Sequence, residues 1–285
     1  MRQNTLKIKD NNTVLELVEK HGVPYLEYPI LNAVEIVNHG FSTRLGGVSS
    51  GIFDSMNLSF VRGDDEALVQ ENYSRISKAI GVKKENIVCS KQTHTDTVII
   101  VGKEHAGNGV LYENKLEDVD GMITDVPGLC LATFYADCVP LFFVDPVKKV
   151  IGLSHSGWRG TVQKIGNVTI EKMHEYYGCS PTDIVAAIGP SICQDCYEVS
   201  EEVIDSFKEN YDKQYWESLF YQKENSKYQL NLWKANEIVL LESGILPEHI
   251  AVTNLCTCCN PELLFSHRAS EGKRGNLGAF LALKE

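Results

Sequence analysis

Three side chains able to hold a metal ion or carry a proton stand in short runs: His94 in KQTH, Cys138 in ADCVP, and His155 in LSHSGWRGT. Each comes at the end of a β-rich stretch, NIVCS, LCLATFYA and VIGLS in turn. The carboxyl end of a strand is where α/β-type folds commonly set their binding residues. One thiolate and two imidazoles, with a fourth position open, form a familiar set for catalytic zinc, which brings the pKa of a bound water to about 7. The same ligands suit copper, since thiolate and imidazole are both soft enough for it. These residues also offer a metal-free chemistry, with Cys138 as nucleophile and His155 as base. Asp137, just before Cys138, is either a supporting partner or proton shuttle, or simply a turn-forming aspartate.

A second group is cationic. Arg44 lies in FSTRLGGVSSG, Arg159 in SGWRGT, and Arg268 and Arg274 in SHRASEGKRG. Glycines near three of them let the backbone approach a ligand while the guanidinium offers a planar fork to an oxyanion. GWRGT also leads into an expected helix, whose free N–H groups favour an anion. Local capture of phosphate or a carboxylate is therefore an expectation. Of the nine cysteines, Cys89 and Cys130 lie in apolar runs and read as core. Cys193 and Cys196 form a C-x-x-C, and Cys256, Cys258 and Cys259 form CTCC. CTCC lacks the two well-spaced pairs of common structural zinc sites, so buried thiols are expected ahead of a structural zinc or a redox pair.

The elements that must position these residues follow from periodicity and punctuation. Residues 65–80 have an acidic start, helical apolar spacing and Gly81 as a stop, which predicts a helix. Residues 87–90, 97–101, GMIT, LCLATFYA, LFFV, VIGLS and DIVAAIG read as strands. Helices are expected over about 161–177, from Ser200 through SEEVIDSFKENY, and over LWKANEIVLLESG up to Gly244. The tail, LLFSHRASEGKRGNLGAFLAL, reads as two short strands around a basic loop. Strands both alternate with helices and follow one another, so a mixed sheet or pair of sheets fits better than a doubly wound fold.

Composition bounds the rest. The 285 residues are 43% hydrophobic and 23% charged, ordinary for a soluble globular protein, and no linker divides them. A net charge of −11 argues against a nucleic-acid polymer or an anionic membrane as partner. The first 22 residues lack a signal-peptide core, no run reaches membrane-spanning length, and the odd cysteine count does not suggest a disulfide framework. A cytoplasmic protein is expected.

FSTRLGGVSSGIFDSMNLS, KQTH, YADCVPLFFVDP, HSGWRGT, AIGPSICQDCYEV and FSHR with its following KRG, in that order from about residue 39 to 275, resemble the YfiH/YlmD family. That family bears the older label of multicopper polyphenol oxidase or laccase-domain protein and is now described as purine nucleoside phosphorylase. The resemblance implies one α/β (mixed α+β) domain over residues 1–285, with mixed β-sheets packed between helices and residues 1–35 as an extension. It implies a zinc site of His94, Cys138 and His155. It further implies purine nucleosides and phosphate as ligands, with phosphorolysis of adenosine, inosine, guanosine and methylthioadenosine and deamination of adenosine. On that reading Arg44 and Arg268 are phosphate or ribose contacts, joined by Arg159, Arg274 and Asn57, and Asp137 belongs to the catalytic group. Two departures, Thr95 where the family often has glycine and Ala269 where many members have a second arginine, bear on substrate preference. Competing readings are a copper phenol oxidase, a metal-free cysteine hydrolase, and a non-catalytic nucleoside or peptide sensor. Eight histidines without a His-x-His pair are too few ligands for a four-copper cluster.

Overall fold

The computed structural model describes residues 7–10 and 12–285. In chain order its strands are β1 (Glu16–Lys20), β2 (Val23–Glu27), β3 (Val37–Ser42), β4 (Ile87–Cys89), β5 (Val98–Ile100), β6 (Gly121–Thr124), β7 (Cys130–Tyr135), β8 (Val139–Asp145) and β9 (Val150–Ser156). They continue with β10 (Val185–Ile188), β11 (Glu198–Val199), β12 (Phe220–Gln222), β13 (Tyr228–Leu230), β14 (Ile250–Val252) and β15 (Leu277–Leu283). The helices are α1 (Pro29–Asn32), α2 (Glu66–Ile80), α3 (Trp158–Val162), α4 (Ile165–Tyr177), α5 (Glu201–Asn210), α6 (Trp216–Leu219) and α7 (Leu232–Glu242).

Two six-stranded mixed sheets, ordered β1-β2-β3-β15-β7-β4 and β14-β10-β8-β9-β6-β5, pack face to face. A small sheet, β11-β13-β12, stands apart from them. Strand alternation decides the layers. In β9, Ile151 and Leu153 enter the cluster between the sheets, with Leu131, Tyr135, Phe142 and Leu281. On the opposite face Val150 joins the helix-side cluster, and Gly152 admits Thr169 and Met173 of α4. Helices α4, α5 and α7 cover that outer face of the second sheet, while α2 covers the first through Val69, Tyr73, Ile76 and Ile80. The result is the single mixed α+β domain expected, with helices outside and sheets within. Burying a side chain of Leu or Phe size contributes roughly 1.5–3 kcal/mol, so three such clusters supply the main driving force.

Several local expectations hold to within a residue or two. Asp65 caps α2 by accepting from the Ala67 N–H, and Gly81, at φ 82°, closes it. Others shift. The helix expected over 161–177 is two helices, α3 and α4, because Lys164 between them turns left-handed at φ 56°. The Thr161 hydroxyl, bonded to the Gly157 carbonyl and paired with Ser156, fastens α3 to the end of β9. The LLFS run is a buried turn, not a strand. The Asn260 carbonyl accepts from the N–H groups of Leu263 and Leu264, and Leu263, Leu264 and Phe265 fill the inter-sheet core from it. Within the stretch read as an extension, residues 12–35 supply β1, β2 and α1, and Tyr25, Leu26, Tyr28 and Leu31 are buried. Residues 1–6 and 11, part of the segment read for a signal peptide, lie outside the described residues. Among the described residues no helix is long and apolar enough to cross a membrane.

Candidate metal centre and its cavity

Parallel β4 and β7 in the first sheet run to the same edge, where β9 of the second sheet also ends. His155 is the penultimate residue of β9 and shares the parity of Ile151 and Leu153, so it faces the space between the sheets. Its ring lies 5.4 Å from that of Tyr135 at the end of β7. Cys138 sits in the tight turn from β7 to β8, and His94 in the loop after β4. The two residues that shape these turns, His94 at φ 68° and Asp137 at φ 95°, adopt left-handed backbone that side chains rarely accept. The His94 Nε2 is 3.8 Å from the Cys138 Sγ, and the two imidazole rings cross at 78° with centroids 4.9 Å apart. The ligand atoms of all three residues lie within 4.8 Å of one another.

Asp120, just before β6, organises this group, and no motif in the sequence singles it out. It is fully buried. Its carboxylate accepts from the backbone N–H groups of Thr93 (3.0 Å), His94 (3.1 Å) and Thr95 (2.9 Å) and from the Thr95 hydroxyl (3.0 Å). It also pairs with His155 Nδ1 at 2.7 Å, while its carbonyl accepts the His155 N–H. One carboxylate therefore shapes the His94 loop and commits Nδ1 of His155, leaving Nε2 for a ligand. Gln92 adds a second anchor, exchanging two hydrogen bonds with the backbone of Phe134 in β7. Burial acts to raise the Asp120 carboxyl, but the hydrogen bond and charge of His155 and the amides of Thr95 and Thr93 bring it down to about 2.

The same balance tunes the ligands. Burial acts to raise the Cys138 thiol, yet the charge and hydrogen bond of His155, followed by those of His94, bring it down to about 6. Burial acts to lower His155, yet the Cys138 charge and the Asp120 hydrogen bond carry it up to about 9. Without a metal the pair is thus thiolate and imidazolium at neutral pH. A metal held here would take the Nε2 position in place of that proton, and the lowered thiol would offer it the anionic sulfur it requires. The donors fit a metal on three counts: their chemistry, the fixed Nδ1 of His155, and the clearance at Gly157. A Cβ at Gly157 would stand 2.7 Å from His94 Cδ2 and 3.3 Å from Cys138 Sγ, so the glycine that follows HS in HSGWRG keeps this space open.

All three residues line a cavity of about 740 Å³. Its walls include Phe60, Tyr112, Phe134, Gln92, Arg274 and Asn276, a mixture of aromatic faces and polar groups. Arg274 is the one expected cation that lines it. One of its terminal nitrogens bonds to the Gly275 carbonyl and to Asn276, and its buried Nε has no partner. Burial, then the neighbouring Arg62, lower the guanidinium to about 10, so it stays charged at neutral pH.

The other expected contacts stand elsewhere. Arg44 spends its guanidinium on the carbonyls of Asp54 (2.8 Å) and Pro261 (2.8 Å) and lies over the Phe265 ring. Asn57 is fully buried and ties Ser59, Asp64 and Asn276 together. Arg159 is exposed over Trp158, and Arg268 donates to the carbonyls of Cys196 and Glu198 beside Tyr197. The Asp137 carboxylate accepts from the Thr257 hydroxyl (2.6 Å) and the Arg268 N–H (2.7 Å), bracing the turn that presents Cys138. Cys89 and Cys130 are buried as expected, and burial pushes the Cys89 thiol up to about 12.

The sequence matches the family model described as multi-copper polyphenol oxidoreductase laccase over residues 38–284. It is 38% identical over 247 residues to purine nucleoside phosphorylase YlmD of Bacillus subtilis, covering 86% of this chain and 88% of that protein. It is 32% identical over 230 residues, 80% of this chain and 87% of the other, to adenosine deaminase RL5 from an unknown prokaryotic organism. The crystal structure of YfiH from Bacillus licheniformis superposes with a TM-score of 0.89 at 34% identity, covering 96% of this chain and all of that one.

Proposed function

The chain belongs to the family of multi-copper polyphenol oxidoreductase laccases, and from that premise we propose that it is a zinc-dependent enzyme of purine nucleosides. It would cleave adenosine, inosine, guanosine and methylthioadenosine with phosphate, and deaminate adenosine. The observation that carries this reading is the His94–Cys138–His155 group, held by Asp120 and opening into a cavity that also contains Arg274. The names borne by relatives, phosphorylase in one case and deaminase in another, supply the substrate class.

Zinc held by His94, Cys138 and His155 would supply Lewis acidity at that end of the cavity. The remaining work falls to the chain. Asp120 keeps His155 in one tautomer and one orientation. Phe134 and Tyr112 offer aromatic faces to a purine, and Arg274 offers the charge that draws phosphate into the cavity. In phosphorolysis a phosphate oxygen bonds to the anomeric carbon as the glycosidic bond breaks, and the base leaves with the electron pair. In deamination water adds at C6 and ammonia departs. The nine cysteines, none in a disulfide, suit a reducing cytoplasm.

Copper remains the competing metal, since the donors accept it. Among the described residues, groups of three or more potential ligands occur at only two places, which leaves a multicopper cluster without a site. A cysteine hydrolase is favoured by a different observation, the thiolate–imidazolium pair of Cys138 and His155. It gives His94 no task.

One paired measurement separates these readings. Bound metal is counted on freshly purified protein, and adenosine is followed by chromatography with and without phosphate, for wild type and Cys138→Ala. Stoichiometric zinc, phosphate-dependent adenine or inosine in either case, and loss of both products in the variant are expected. Absence of bound metal and of nucleoside turnover would sink the proposal and turn attention to amide substrates. Binding without turnover would indicate a sensor.

A further inference from the structure

The loop after β10 carries Cys193 and Cys196, and the segment after β14 carries Cys256 and Cys259. Their four sulfurs lie within 4.8 Å of one another. The spacing argument against CTCC therefore gives way: Cys256 and Cys259 are themselves a C-x-x-C, and Cys258 is not among the four. Two such pairs brought together by the fold are the common arrangement of a structural zinc site.

The distances agree with that arrangement. Cys259 Sγ is 3.5 Å from Cys196 Sγ and 4.0 Å from Cys193 Sγ. Four sulfurs set tetrahedrally about 2.3 Å from a zinc ion stand about 3.8 Å apart. Paired in a disulfide they would stand about 2.05 Å apart. The backbone amides of Cys193 (3.2 Å) and Cys259 (3.4 Å) both point at Cys256 Sγ, donors that a thiolate exploits far better than a thiol. Lys9 forms an ion pair with Asp195, inside the first C-x-x-C, and so sets a positive charge beside Cys193 and Cys259. No imidazole or carboxylate belongs to the group. All-sulfur donors in tetrahedral reach of one another select zinc over the harder cations.

We infer that Cys193, Cys196, Cys256 and Cys259 bind a structural zinc ion, separate from the centre at Cys138. With four protein ligands it has no position for substrate, and its task is to cross-link two segments distant in sequence. Those segments support the first centre. Cys196 and Glu198 hold the Arg268 guanidinium, Thr257 holds Asp137, and the Asp137 carbonyl accepts the Ile192 N–H. The zinc clip therefore braces the turn ending in Cys138 from behind.

The test counts metal in protein purified under reducing conditions. Wild type should hold two zinc ions per chain, and the His94→Ala/Cys138→Ala variant should keep one. Loading that variant with cobalt(II) should give intense thiolate-to-cobalt charge-transfer absorption with the d–d bands of a tetrahedral site, and Cys193→Ser/Cys256→Ser should lack this second equivalent. If the first variant fails to accumulate, the difference in zinc between wild type and Cys193→Ser/Cys256→Ser decides, one equivalent supporting the inference and none overturning it. A metal-free His94→Ala/Cys138→Ala protein, iron in place of zinc, or a disulfide among the four cysteines in non-reducing peptide maps would each overturn it.

Discussion

The molecule holds two clusters of metal-type ligands, and they are built for opposite ends. At His94, Cys138 and His155 the chain provides three donors and a cavity, whereas at Cys193, Cys196, Cys256 and Cys259 it provides four donors and none of the four lines that cavity. The first leans on a single fully buried carboxylate, Asp120, which makes five hydrogen bonds through its side chain. The second leans on backbone amides aimed at sulfur. Open coordination with a tuned supporting partner suits chemistry, and closed coordination by two short loops suits bracing. Each cluster is joined to the other through Asp137, so the contrast can be broken from either side.

The largest effect is expected from Cys138→Ala, which removes the residue common to all three readings, a ligand for zinc or copper and the nucleophile of a cysteine hydrolase. Nucleoside turnover should fall to background, while the circular dichroism spectrum and one zinc per chain remain. Retained turnover would exclude the first centre from the chemistry altogether. Asp120→Asn comes next. The amide keeps the shape but not the charge, and one of its two terminal atoms can no longer accept, so His155 loses its fixed Nδ1 partner or the His94 loop loses its amides. Changes to such supporting partners cost about 10–100-fold in metal affinity or activity. Zinc titration and kcat together check this, and an unchanged affinity would show that the His94 loop is held by Gln92 alone.

A pH profile sharpens the comparison further. In metal-stripped protein Cys138 titrates near 6, below the ordinary 9.0 of a thiol, and His155 near 9, above the ordinary 6.5. The depressed thiol contributes stability that is lost as pH falls through about 6. The raised imidazole contributes stability that is lost as pH rises through about 9. Their pairing is therefore strongest between those values, and alkylation of Cys138 by iodoacetamide should already be fast at pH 7, with an inflection near 6. An inflection near 9 would mean that the pair is not formed. Cys89, pushed up to about 12 by burial, should stay unreactive throughout.

The two clusters are unequally legible in the sequence. His94, Cys138 and His155 can be read because strand ends are marked by apolar runs that stop, and the sheet order then brings those ends together. Asp120 cannot, because an aspartate before a glycine reads as a turn, and its partners lie 25 to 35 residues away. Of the arginines, Arg274 lines the cavity, whereas Arg44, near the glycines of LGG, and Arg268, with no adjacent glycine, bind carbonyls of their own chain, a choice that residue type does not announce. LLFS reads as a strand because apolar runs buried in strands and in turns look alike until the hydrogen bonds of Asn260 are known. A mixed sheet or pair of sheets is legible from the mixture of alternating and successive strands, their packing between helices comes only with the family resemblance, and the β11-β13-β12 sheet is too short to register.

The smallest expected effect tests the identity of the second cluster most narrowly. Three cysteines in CTCC compete for two ligand positions, and nothing in their types distinguishes them. Backbone geometry does: the 256–259 turn folds the Cys259 N–H back onto Cys256 Sγ at 3.4 Å, which places residues three apart on one side. Cys258 is not among the four sulfurs that lie within 4.8 Å of one another. Cys258→Ser should therefore keep two zinc ions per chain and shift the unfolding midpoint little. Cys259→Ser should lose one zinc ion and the unfolding midpoint with it. Equal losses from the two variants would mean that the ligands exchange within CTCC and that the turn does not select them.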